Sequence, residues 1–237
     1  PAVLAVEDIT WETTTSTDLG FDANFLNNRL HINFDYYWKK TTDMLLAIQI
    51  PYTMGYNSPN TNAGKMSTHG YDIDVSWQDH IGDFKYSVGL NFSDYLSKID
   101  YLNNSDIISG GKVKRAGVLF NEFYGYVCDG IYQTQDEVQN SARTSSSVTV
   151  GDLKYRDISG PDGVPDGKIS PEYDRVPLGN SLPRYQYGGN LSASWKGIDL
   201  NIAFQGIGKQ NAYLDQAMVQ PFRNNYGNVP AIIEGKY

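Results

Sequence analysis

Three stretches of this chain alternate apolar and polar residues with a period of two on both sides of a short turn. In "DLGFDANFLNNRLHINFDYYW" (18–38), Leu19, Phe21, Ala23 and Phe25 alternate with Asp18, Gly20, Asp22 and Asn24; after Asn27 and Asn28, Leu30, Ile32, Phe34, Tyr36 and Trp38 alternate with His31, Asn33, Asp35 and Tyr37. The second unit sets Tyr71, Ile73, Val75 and Trp77 against Asp72, Asp74 and Ser76. It turns in "QDHIGD" and returns through Phe84, Tyr86, Val88, Leu90 and Phe92. The third runs through Tyr187, Gly189, Leu191, Ala193 and Trp195, turns at "KG", and returns through Ile198, Leu200, Ile202 and Phe204. A period of two puts every second side chain on one face of a strand, and Asn or Gly at the turns accepts the positive φ of a tight hairpin. The pattern predicts an all-β chain of antiparallel hairpins.

What the apolar face meets is a separate question. In a sandwich it would meet a second sheet and the outer face would be crowded with charge; in a membrane barrel it would meet lipid, with aromatic girdles and a wet interior. Here the polar face is rich in Asp, Asn, Ser and Gly, and Trp38, Trp77 and Trp195 lie near strand ends. Strands of about ten residues suit a tilted barrel wall. The connections also alternate: short after the first, third and fifth strands, long at roughly 40–67, 97–183 and from 207 onward after the others. Outer-membrane barrels are built this way, with the long loops outside. On that reading Leu19, Phe21, Phe34, Tyr36, Ile73, Val75, Val88, Leu90, Leu191, Leu200 and Ile202 face lipid, and Asp22, Asn33, Asp74, Asn91, Asn190 and Asn201 face the lumen. Alternation by itself does not separate lipid from a facing sheet, so the sandwich stands beside the barrel. The 97–183 loop is expected to be irregular, with a short helix near Gln135–Ser141 announced by Thr134, Asp136 and Glu137.

Composition narrows the function. A net charge of −8, with only Lys112-Val113-Lys114-Arg115 as a basic run, argues against a nucleic-acid partner. One cysteine, Cys128, excludes an internal disulfide framework and a Cys-based zinc site, and His31, His69 and His80 share no ligand spacing. No apolar run is long enough for a membrane helix. Catalytic signatures such as GxSxG, HExxH and the P-loop do not occur, and Asp72 and Asp74, about 7 Å apart on one strand face, read as polar lining. No enzymatic activity is expected.

The acidic stretch "DISGPDGVPDGKISPEYDR" (157–175), where Asp157, Asp162, Asp166, Glu172 and Asp174 supply hard oxygens and Gly163 and Gly167 allow a sharp backbone, is the candidate metal site, with Asp157, Asp162 and Asp166 as its calcium ligands. Aligned on Asp162 as an EF-hand loop, Asp166, Gly167 and Ile169 fall correctly, but Val164 and Tyr173 occupy ligand positions. Pro161 and Pro165 stiffen the segment. The favoured reading is a loop without cofactor, ordered by turns and side chain-to-backbone bonds, with Arg156 or Arg175 pairing its acids.

Longer runs carry a family resemblance. "DLGFDANFLNNRLHINFDYYWKKTTDML", "NAGKMSTHGYDIDVSW", "FYGYVCDGIYQTQDEV" and "GDLKYRDISGPDGVPDGKISPEYDRVPLGNSLPRYQYGGNLSASWKGIDLNIAFQGIGK" resemble, in order and over nearly the whole chain, the barrel of SusC/RagA-type TonB-dependent outer-membrane transporters. The resemblance implies a barrel of about 22 strands in the bacterial outer membrane, filled by an N-terminal plug, energised through TonB and capped by a SusD-like surface lipoprotein, with pairs of the two proteins forming dimers. It implies glycan or peptide substrates and contact with outer-membrane lipid. Residues 1–237 would then be a partial barrel, lacking plug and closure, with the TonB contact made through the absent N-terminal region. The family's acidic run is shorter, approximately Asp-x-Asn-Gly-Asp-Gly-x-Ile; here Ser159 replaces the Asn and extra residues separate Asp157 from Asp166. The rival is a surface or secreted calcium-stabilised carbohydrate-binding β-sandwich, which would purify without detergent.

Overall fold

The computed structural model describes residues 6–47, 50–103 and 106–214, with a few isolated positions beyond. The elements run β1 (Thr13–Phe25), β2 (Leu30–Ala47), β3 (Asn60–Ile81), β4 (Phe84–Leu102), β5 (Ile107–Ser109), β6 (Lys112–Lys114), β7 (Glu122–Tyr126), β8 (Cys128–Ile131), α1 (Gln135–Asn140), β9 (Leu153–Tyr155), β10 (Arg175–Asn180), β11 (Arg184–Trp195) and β12 (Ile198–Lys209). The three alternating units form one antiparallel sheet in the order β1-β2-β3-β4-β11-β12.

Each hairpin closes where the sequence allows positive φ. Leu26, Asn27 and Asn28 turn the first at φ 56°, 58° and 63°, and Lys196 and Gly197 turn the third at 46° and 84°. The second turn is tighter than the six residues expected: β3 runs to Ile81 and β4 starts at Phe84, leaving Gly82, at φ 59°, and Asp83. Two residues suffice because glycine supplies the conformation that would otherwise need a longer loop.

At the opposite rim the expected boundaries also move. β2, β3 and β4 hold 18, 22 and 19 residues, so the first long connection shrinks to the residues between Ala47 and Asn60. A tilted strand needs only about ten residues to cross a bilayer; the surplus raises the wall beyond that length at the rim away from the short turns. Against this raised part Leu46, Ala63, Ile99 and Leu102 form a buried cluster, joined by Met44, Ile107 and Phe120. Backbone bonds from Ile99 N to Val118 O and from Phe120 N to Ser97 O tie the long loop to β4 there.

That loop is more ordered than its sequence suggests. Besides α1 it contains a four-stranded sheet, β10-β7-β6-β5, and the pair β8-β9. These strands span only three to six residues each, too short for an alternation signal to register.

Registers settle which side chains share a face. Leu19, Tyr36 and Tyr71 form one cross-strand row, Phe21, Phe34, Ile73 and Phe92 the next, and Val88, Leu191 and Ile202 another. The face is uncovered: Leu19 is 68% exposed and Leu200 56%. Among the described residues no second sheet packs on it.

Candidate lumenal face and external loop

The opposite face of the wall is mainly polar. Asp22, Asn33, Asp74 and Asn91 align across four strands, and Gly20, Asp35, Asp72 and Ser93 form the adjacent row. Glycine has a steric role in the second row: a Cβ on Gly20 would collide with Asp35 Oδ1, so the small residue lets the carboxylate lie flat. Gly70 likewise leaves room for the Tyr37 hydroxyl. Asp72 and Asp74 share this face as expected, opposite Asp35 and Asn33, as two members of a polar lining. At the short-turn rim a cleft of about 900 Å³ opens between Arg29, Asp79, Lys85, Ser87, Ser194 and Asn201, with Arg29 Nη1 2.9 Å from Asp79 Oδ2.

The acidic stretch 157–175 is organised around a residue outside the candidate calcium set. Asp174 is fully buried, and its Oδ1 accepts the backbone N–H groups of Ile158 and Ser159 at 2.8 and 3.2 Å, while Oδ2 accepts that of Ser170 at 2.7 Å and the Ser170 hydroxyl at 3.3 Å. Burial alone would push this carboxyl up; the bonds from Ser170, Ile158 and Ser159 outweigh it and hold it below its ordinary value. Asp157 Oδ2 accepts Gly167 N–H at 2.6 Å and Asp166 Oδ1 accepts Lys168 N–H at 2.9 Å, while Asp162 sits on an exposed turn. Asp157 Oδ1 is buried without a hydrogen-bond partner. Calcium takes six or more oxygens, and among the described residues no three His, Cys, Asp or Glu side chains converge as a metal set.

The arginines expected to neutralise this loop are engaged elsewhere. Arg156 forks onto Asp129, with Nε 3.1 Å from both carboxylate oxygens, and thereby holds that carboxyl below its usual range. Arg175 donates to Pro171 O at 2.6 Å and lies over the Tyr124 ring. The loop's carboxylates are met instead by the backbone N–H groups of Ile158, Ser159, Gly167, Lys168 and Ser170.

Helix α1 starts where its sequence signal lies. Thr134 Oγ1 accepts Glu137 N–H at 3.2 Å and Glu137 Oε2 accepts Gln133 N–H at 2.9 Å, a reciprocal cap. Lys154 Nζ, 2.6 Å from Glu137 Oε1, pins the helix to β9 and lowers the Glu137 pKa together with the Gln133 bond.

Loop and wall meet at a pair that sequence reading overlooked. Asp94 occupies the row of Tyr36 and Tyr71 on the apolar face, yet it is 5% exposed and gripped by Arg184 at the start of β11. The interruption after Phe84, Tyr86, Val88, Leu90 and Phe92 was its only signal.

Residues 2–215 match the family described as TonB dependent receptor-like, beta-barrel. TonB-dependent receptors P3 and P26 of Formosa agariphila are 30% and 32% identical to the chain over 85% and 87% of its length. TonB-dependent receptor SusC of Bacteroides thetaiotaomicron is 28% identical over 51% of the chain. A solved structure of the RagAB peptide transporter superposes with a TM-score of 0.66 at 24% identity, covering 84% of this chain and 21% of that one. The chain spans about a fifth of the length of P3 and P26, 21% of each.

Proposed function

Because this chain belongs to the TonB dependent receptor-like β-barrel family, whose members sit in the bacterial outer membrane, we propose that it supplies six wall strands and an external loop to a SusC-like nutrient importer. The substrates are glycans or peptides, the energy arrives through TonB, and a SusD-like lipoprotein is the outer partner. Transport needs no nucleophile or acid–base pair from this segment. It needs a wall that is apolar outside and polar inside, with structured loops at the outer rim.

The observation that carries this reading is the register. The rows from Leu19 to Ile202 separate an apolar face, interrupted at Asp94, from a mainly polar face rich in Asp, Asn, Ser and Gly, and the short turns all lie at one rim. RagAB, described as a peptide transporter, supports the same architecture. The test is uptake of labelled oligosaccharides and peptides by cells with and without the parent gene. Uptake should depend on the gene and vanish when the proton gradient is dissipated; gene-independent uptake of the whole panel would remove the reading.

A further inference from the structure

The long external loop holds a cleft of about 840 Å³ between the C-terminal end of α1 and the segment 167–171. Arg143 and Lys168 both line it, and its lining contains no Asp or Glu. The chain as a whole carries a net charge of −8, and one wall of the cleft comes from the acidic stretch itself. Arg143 is half-buried and Lys168 exposed. Among the described residues neither is ion-paired with a carboxylate, and neither side chain makes a hydrogen bond.

Buried groups fix the floor from which these cations rise. Tyr132, Val138 and Ile169 are all buried. Tyr132 Oη donates to Ala142 O at 2.7 Å, and Ile169 N donates to Arg143 O at 3.1 Å. A parallel bridge pairs Arg143 with Lys168, which sets their Cα atoms about 4.8 Å apart. Asp174, the buried acid of the same stretch, is turned onto the N–H groups of Ile158, Ser159 and Ser170 and leaves both cations unmatched.

We propose that this cleft binds the anionic group, a sulfate ester or a carboxylate, of an acidic oligosaccharide, with Arg143 and Lys168 as its charge partners. The proposal rests on the importer reading, which puts the loop outside the cell, and it narrows the substrate class. A guanidinium fork meets two oxygens of such a group, and the ammonium adds a point charge. Arg143 gains most from an anion, because burial has already removed part of its hydration. The remaining lining suits a sugar chain, with the amide of Gln139 and the hydroxyls of Ser141, Thr144 and Ser146. A peptide would be held through strand pairing or apolar side-chain pockets. Residues 141–146 form no strand, and Ala142, Ile169 and Pro171 are the only apolar side chains among the described lining. No aromatic ring lines the cleft for a neutral sugar to stack on, so charge carries the recognition.

The experiment uses the full-length parent protein in mild detergent, with binding read by isothermal titration calorimetry. The probes are trigalacturonic acid, a sulfated galactotriose, neutral galactotriose and the peptide triglutamate. Wild type should bind at least one acidic sugar roughly tenfold more tightly than the neutral one, and less tightly as salt is raised. The tighter of the two acidic sugars identifies the source of the charge. Arg143→Gln/Lys168→Gln should lose the preference, whereas Lys196→Gln, at the short-turn rim, should keep it. Equal binding of neutral and acidic sugars, no binding of any sugar, an undiminished preference in the double variant, or triglutamate bound as tightly as the acidic sugars would each overturn the proposal. A proteolysis pattern like that of wild type reports a folded loop. If the double variant departs from it, Arg143→Lys and Lys168→Gln are read singly, each losing part of the preference; a full preference in both overturns the site. Gene-dependent uptake without a charge preference in binding sinks this site alone, whereas gene-independent uptake sinks the importer reading.

Discussion

Arg184 holds Asp94 with both arms of its guanidinium, Nε to Oδ1 and Nη2 to Oδ2, each at 2.5 Å, while Asp94 Oδ1 also accepts Tyr185 N–H at 3.1 Å. The pair joins β4 to the first residue of β11, the point where the chain re-enters the wall after its long external loop. Tyr185, at φ 56°, bends the strand there so that Arg184 can reach across. Removing one partner from a buried pair leaves an uncompensated charge, at a cost of about 3–5 kcal/mol. Asp94→Asn and Arg184→Met are therefore expected to loosen the loop's return, read as faster proteolysis between Asn103 and Pro183 in the parent barrel. Arg184→Lys should be only a partial rescue, because an ammonium lacks the fork.

Asp174 is the organising residue of the acidic loop. Asp174→Asn removes acceptor capacity from three part-buried backbone donors and should cost the loop about 1–3 kcal/mol. Hydrogen exchange at Ile158, Ser159 and Ser170 would show it. The folded pKa lies below the ordinary value of 3.8, so the stabilisation is fully present above 3.8 and is lost as pH falls through the folded value. Protection of those amides should therefore fade only in strong acid.

Calcium removal offers a separate check. With Asp157 Oδ2 and Asp166 Oδ1 already accepting backbone N–H groups, EDTA is expected to leave the melting temperature and partner binding of the parent protein unchanged. A calcium-dependent rise in melting temperature that Asp166→Ala abolishes would show that the loop takes a metal.

The two faces of the wall can be distinguished by labelling. In a Cys128→Ser background, cysteine at Asn91 should react with a membrane-impermeant maleimide from the aqueous side. Cysteine at Leu90, its neighbour on the outward face, should not. Leu90→Lys should destabilise the barrel by about 2–4 kcal/mol if it lies near mid-bilayer, whereas Asn91→Lys should be tolerated. Equal reactivity at both positions would contradict the orientation.

Intact cells give a further check. The exposed serines and threonines from Thr144 to Thr149 lie in the loop placed outside, and added protease should cut there. Protection of this segment while other external loops are cut would count against that placement.

The wall was legible in the sequence because its code is local: the residue at each position along β1 to β4, β11 and β12 reports a face two residues at a time. Hairpin turns at Asn27-Asn28 and Lys196-Gly197, the helix cap at Thr134, and the family resemblance were all readable from contiguous residues. The absence of a second sheet over Leu19 and Leu200, by contrast, depends on what packs nearby, and only the folded chain decides that. The same holds for Asp174, whose three backbone donors come from positions up to sixteen residues away, and for Asp94, whose partner lies ninety residues on. Arg143 and Lys168 look like unrelated surface charges until a backbone bridge sets them side by side. Periodicity is a property of neighbours in sequence; partnership between charges and amides is a property of neighbours in space.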